Sequence, residues 1–158
     1  MVSNSYILLS LDVLSCSQTR DLVSLSTLTA STEWSTSFGA DASGLNSAYG
    51  WAARSGQLTN WIQAEFDQEH IVTSIRTKGD KDREYTRQFT ISTSRDGINW
   101  STIQDKGVDL VFEGNSDYTT IVTNDLPAPI KTRFIRLNVV TFHSLPALRW
   151  AIDGCPVM

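Results

Sequence analysis

Histidine is scarce in this chain: only His70 and His143 occur in 158 residues, and neither accompanies a nucleophile motif such as G-x-S-x-G. A hydrolytic triad needs a base beside a nucleophile, so that class of enzyme has no support. Carboxylates do cluster in "GDKDRE", but Lys81 and Arg83 interleave with them, the pattern of a solvated loop rather than of paired acids with raised pKa values. Phosphate-cradling loops and dinucleotide fingerprints are missing, and the chain reads as a non-enzyme. A basic block is missing too. Lys and Arg number 13 against 17 Asp and Glu, spread along the chain to a net charge of -4, which argues against nucleic acid as a partner. No apolar run is long enough to cross a membrane. The opening "MVSNSYILLSLDVLSCS" has no basic start and is interrupted by Asn4 and Asp12, which makes it a poor signal peptide. Cysteine is almost absent: Cys16 and Cys155 stand near opposite ends, without the spacing or further ligands of a metal site. They are either one disulfide closing nearly the whole chain or two buried thiols, and their number does not choose between these.

What the sequence does have is alternation. Ile62, Ala64 and Phe66 oppose Gln63 and Glu65 in "WIQAEF". Ile71, Thr73, Ile75 and Thr77 oppose Val72, Ser74, Arg76 and Lys78 in "IVTSIRTK". Phe89 with Ile91, then Ile135, Leu137 and Val139, then Leu148, Trp150 and Ile152 continue the series. Turn pairs such as Asp96-Gly97 fall between these runs, and a helical stripe is lacking apart from one short turn expected near Leu45–Ala52. Many short strands with polar loops predict a single all-β domain, a sandwich or jelly-roll.

On such a scaffold, function belongs to loops. Three are rich in side chains suited to a small polar ligand. The first is "STSFGADASGLNSAYGWAARSGQ", with Phe38, Asp41, Asn46, Tyr49 and Arg54; the second is "KGDKDREY"; the third is "TFHSLPA", with Phe142, His143 and Leu145. A sugar needs fixed polar groups for its hydroxyls and an aromatic face under its ring. The plainer reading keeps Lys81, Asp82 and Glu84 merely solvated and packs His143 against Trp150. It also places Trp34, Trp51, Trp61, Trp100 and Trp150 in the core. Lys78-Gly79-Asp80 has the form of an integrin-binding tripeptide, a pattern frequent by chance. Asn99-Trp100-Ser101 fits a glycosylation acceptor, with burial of Trp100 expected to oppose its use.

Seven blocks, "LTASTEW", "YGWAARSGQLTNWIQAEF", "VTSIRTKGD", "FTISTSRDGINW", "FEGNSD", "LPAPIKTRFIRLNV" and "LRWAIDGC", occur in the order of the discoidin domain, the coagulation factor V/VIII type C family, and together resemble it closely. The resemblance covers about residues 16–155 of a single domain spanning 1–158. It implies an eight-stranded antiparallel jelly-roll β-sandwich of the galactose-binding kind with adjacent terminal strands. It further implies a Cys16–Cys155 disulfide and, with it, an extracellular or cell-surface location. Family members bind through loops at one end of the barrel. "TKGDKDREY" resembles the charged loop of the discoidin lectins, so the resemblance nominates Lys78, Asp80, Asp82, Arg83 and Tyr85 as sugar-binding residues, with Asp41, Arg54 and His143 from flanking loops. The implied function is a lectin for galactose-type glycans in cell adhesion or recognition, with homo-oligomerisation as a route to avidity. The lipid-binding relatives instead carry apolar spikes. Here only Phe38 and Leu58 correspond, and burying both gains about 3–6 kcal/mol before the costs of association. A protein-adhesion module is the other alternative. No cofactor is expected: where carbohydrate-binding relatives hold calcium with a "W-E" pair, Trp150 is followed by Ala151, leaving Asp41, Asn46 and loop carbonyls as the remaining ligands.

Overall fold

The computed structural model describes residues 14–57 and 59–158; the opening segment read for a leader, residues 1–13, and Leu58 lie outside the described residues. Three long strands carry the architecture: β4 (Trp61–Lys78), β5 (Tyr85–Ser94) and β10 (Val122–His143), joined by the closing strand β11 (Ala147–Pro156). Short strands complete the edges: β1 (Arg20–Asp21), β2 (Thr27–Ala30), β3 (Trp51–Ala52), β6 (Ser101–Thr102), β7 (Gln104–Asp105), β8 (Val108–Asp109) and β9 (Phe112–Glu113). The main sheet runs β1-β11-β4-β10-β5-β6, with every strand pairing antiparallel. This is the expected all-β sandwich; eleven strand segments are described where eight strands were anticipated, and several edge segments hold only two residues each.

The two longest strands serve both layers. The first part of β4 lies between β2 and the end of β10, and its second part lies between β11 and the start of β10. Register shifts in β10 at Asp125/Ile130 and Thr132/Phe134 let the strand bend between the layers. Both layers turn their apolar sides onto one core. Ile62, Ala64, Ile75, Phe89, Ile91, Ile135, Leu137, Leu148, Trp150 and Ile152 are all fully buried in it. The alternation read from sequence therefore assigns these faces correctly, with one local exception. Opposite the shift between Asp153 and Gly154, the pattern of β4 slips at Thr73, so Val72 and Ile75 both point inward.

Three expectations need correction. Leu45–Ala52 holds no helical turn; 3₁₀ turns form instead at Val23–Leu25, Thr36–Phe38 and Ala40–Ala42, and Trp51–Ala52 is a strand. Of the five tryptophans, only Trp51 and Trp150 are fully buried. Trp61 and Trp100 are half-buried, one on each side of the Arg136 guanidinium at 4.0 Å, and Trp34 is 58% exposed. Asn99 is exposed beside a half-buried Trp100, so the anticipated deep burial of that acceptor triplet does not occur. The "RDGINW" loop is a tight cap, as expected of an Asp-Gly turn. Gly97 takes φ 76°, and the Asp96 carboxylate accepts the N–H groups of Ile98 and Asn99 at 2.8 Å each. Those donors hold the Asp96 carboxyl well below the usual carboxylate range.

The first and last strands meet. Cys16 and Cys155 form a disulfide with a Cα–Cα distance of 5.8 Å, and β1 pairs directly with β11. Free cysteines are absent from the described residues.

Candidate functional site

The end of the sandwich away from the disulfide is built by four loops that hold one another through backbone groups. Lys81 N–H donates to the Tyr49 carbonyl at 2.7 Å, Gly79 N–H to that of Tyr118 at 3.1 Å, and Ala53 N–H to that of Pro146 at 2.8 Å. Arg149 ties two of them from below, donating through Nε to the Gly79 carbonyl and through Nη1 to that of Ser47. Gly79 is required by space as well: a Cβ there would stand 2.6 Å from the Glu84 oxygen and from the Tyr118 backbone.

The sequence nominates eight ligand-binding residues, and the structure separates them. Tyr85 and His143 face each other across the β5–β10 ladder and stack at 4.9 Å with 16° between their planes, so His143 does not pack against Trp150. Arg83 and Asp82 are exposed on the connecting loop, with the Arg83 guanidinium over the Tyr118 ring. Arg83 also carries φ 68°, an uncommon conformation for a side chain of its size. Asp41 and Arg54 are exposed on neighbouring loops, and Lys78 is half-buried beside Arg149.

Asp80 is a correction. It is fully buried (0% exposed), with Oδ1 accepting the Glu84 N–H at 2.9 Å, and from there it braces the loop instead of facing outward. Its Oδ2 has no partner among the described residues, and burial pushes its pKa up to about 7. With Gly79 and Asp80 both buried, the Lys78-Gly79-Asp80 tripeptide is not displayed as an integrin motif would be. Phe38 is a second correction. It is 9% exposed, packed with Ala52 and Ala147 and edge-on to Tyr49, so it is no spike. The protruding apolar ring at this end is Trp34, whose N–H donates to the Ala52 carbonyl.

Tyr118, Arg149 and Arg87 lie at this end as well, outside the eight nominated residues. Arg87 sits over the Tyr85 ring, with Nη2 3.5 Å from His143 Nδ1. Apart from the neighbouring Arg87–Tyr85 pair, nothing local announces these contacts, because they join residues far apart along the chain. Of the residues left for calcium, Asp41 and Asn46 are exposed, and the Ser43 carbonyl and hydroxyl between them are engaged by Trp150. Among the described residues, no group of three or more His, Cys, Asp or Glu side chains comes together for a metal.

Known proteins share this architecture. Residues 27–152 match the family model described as F5/8 type C domain. Human neuropilin-1 is 30% identical over 136 residues, which is 82% of this chain but only 15% of neuropilin-1. Discoidin II of Dictyostelium discoideum superposes with a TM-score of 0.80 at 23% identity, over 89% of this chain and 60% of that one. The family 32 carbohydrate-binding module of C. perfringens NanJ, solved with galactose, gives a TM-score of 0.68 at 13% identity, covering 85% of this chain and 98% of the module.

Proposed function

Because the chain belongs to the F5/8 type C, or discoidin, domain family, we propose that it is a non-enzymatic binding module that takes galactose-type glycans on its loop end and acts in adhesion or recognition outside cells. The observation that carries the reading is the exposed polar arc at that end. Arg83 and Arg87 are held in place by aromatic rings and leave their N–H groups for ligand hydroxyls, while His143, stacked on Tyr85, presents a ring edge and face. Asp82, Asp41 and Arg54 supply further hydrogen-bonding groups from the rim. The galactose complex of the similar module and the lectin-like fold support the ligand class. The disulfide supports an oxidising, extracellular setting. Self-association would add avidity to single sites that are weak. A glycan array, run with and without calcium, tests this directly: signal concentrated on galactose-terminated structures is expected, and silence across all sugars would sink it.

One observation favours a second reading. Trp34, 58% exposed on a loop, is the kind of ring that enters a membrane interface. If lipid is the target, the chain sediments with phosphatidylserine vesicles and Trp34→Ser abolishes that sedimentation. If the target is sugar, vesicles leave the protein in the supernatant.

A further inference from the structure

Four ion pairs occur among the described residues, Arg76–Asp153, Arg95–Glu69, Lys131–Glu69 and Arg133–Glu65, and none includes a cation of the loop end. On one shoulder of that end the unneutralised charges are crowded. Lys78 and Arg149 are directly opposed in the β4–β11 ladder, so two like charges share the outer face of the sheet. The carboxylate further along that face, Asp153, is held by both Nε and Nη2 of Arg76. Arg149 is fixed by the carbonyls of Gly79 and Ser47, which spends Nε and Nη1 and leaves Nη2 without a partner among the described residues. Beside it, Lys81 is anchored by its own N–H to Tyr49, and its ammonium lies 5.1 Å from the centre of the Tyr49 ring.

A protein with a net charge of -4 thus opposes Lys78 to Arg149, holds Lys81 over the Tyr49 ring on the loop that Arg149 ties down, and gives none of the three an ion-pair partner among the described residues. We propose that Lys78, Lys81 and Arg149, with the Tyr49 ring, form an anion subsite that takes the sulfate or carboxylate of an acidic galactose-type glycan. This rests on the lectin reading and extends it to the class of sugar. Like charges held together in a partly buried place oppose each other, and an incoming oxyanion relieves that repulsion while accepting charge-assisted hydrogen bonds. Burial and the neighbouring Arg149 lower the Lys78 pKa, in keeping with a cation that lacks its counter-charge. Arg149 brings the further advantage of a guanidinium already immobilised by backbone, so little freedom is lost when a ligand binds.

The test is calorimetry of the whole chain with galactose, galactose 6-sulfate and galacturonate at low and physiological salt. Acidic sugars are expected to bind about ten-fold or more tightly than galactose, the worth of one hydrogen bond to a charged group, with the preference shrinking as salt rises. In Lys78→Gln and Lys81→Gln the ratio of acidic to neutral affinity should fall toward one. Equal affinities in the parent protein overturn the subsite and leave the lectin reading standing. A preference that both variants retain also overturns it, placing the anion elsewhere on the arc. Failure to bind any of the three sugars removes both readings. Capture on phosphatidylserine vesicles that acidic sugar does not compete overturns the glycan assignment in favour of a lipid headgroup.

Discussion

Arg83 holds a left-handed backbone conformation that costs an L-residue about 1–2 kcal/mol, on a loop whose other members are braced by Asp80. Stability and binding should therefore respond to its replacement in opposite directions. Arg83→Gly is expected to leave the fold as stable or more so, by up to about 1 kcal/mol once the extra freedom of an unfolded glycine is offset. The same change should weaken sugar binding, with Arg83→Ala losing about 1.5–3 kcal/mol of affinity. Thermal melts and calorimetry on both variants check this, and parallel losses of stability and binding would make Arg83 structural. Asp80 yields a pH prediction. Its folded pKa of about 7 lies above the ordinary 3.8, so the folded state holds this proton more tightly than the unfolded chain. The stability it contributes is complete below about pH 4, is lost as pH rises through about 7, and is flat beyond. Asp80→Asn keeps an oxygen for the Glu84 N–H and removes the charge. The melting temperature of the parent minus that of the variant should therefore fall between pH 4 and pH 8, and a constant difference would contradict the assignment.

At the scale of elements, what could be read from the sequence follows from how each contact is encoded. Burial along a strand has a period of two, so the inward faces of β5 and β11 were legible from Phe89, Ile91, Trp150 and Ile152 alone. A bulge has no such signature, and the slip at Thr73 was invisible for that reason. Loops were legible as loops, but their internal order was not. Arg83 reaches Tyr118 and Arg149 reaches Ser47 through chain separations that no local pattern records. Two rings within a few residues of each other were misplaced, Trp34 by its apolar character and Phe38 by the resemblance: Phe38 closes a 3₁₀ turn and folds under it, while Trp34 precedes that turn and stays outside. The loop pair around Gly79 gives the element-scale prediction. A methyl group at that position meets backbone on two sides, so Gly79→Ala should force the 79–84 and 115–120 loops apart. It should cost about 1–3 kcal/mol and reduce sugar binding as well. Unchanged amide exchange in both loops would show that the space is not needed.

For the molecule as a whole, the bridge between Cys16 and Cys155 closes a loop with a sequence separation of 139. In the chain-entropy account a loop of that size stabilises by about 5 kcal/mol, so reduction should lower the melting temperature markedly, as differential scanning calorimetry with and without reductant would record. The resemblance, not the cysteine count, was what made this pairing legible. The bridge also lies at the end of β11 opposite Ala147, about 30 Å from the binding loops at the rise of an antiparallel strand. The bridge has a mechanical consequence. If the chain is pulled by the segments that flank the domain on either side, tension enters at Cys16 and leaves at Cys155 through a covalent bond. The hydrogen-bonded sheets between the two cysteines then carry no load. In a single-molecule experiment that pulls on the segments flanking Cys16 and Cys155, the oxidised protein should show no unfolding step. Only after reduction should the record show the added length of the released segment, about 450–500 Å at 3.3–3.6 Å per residue.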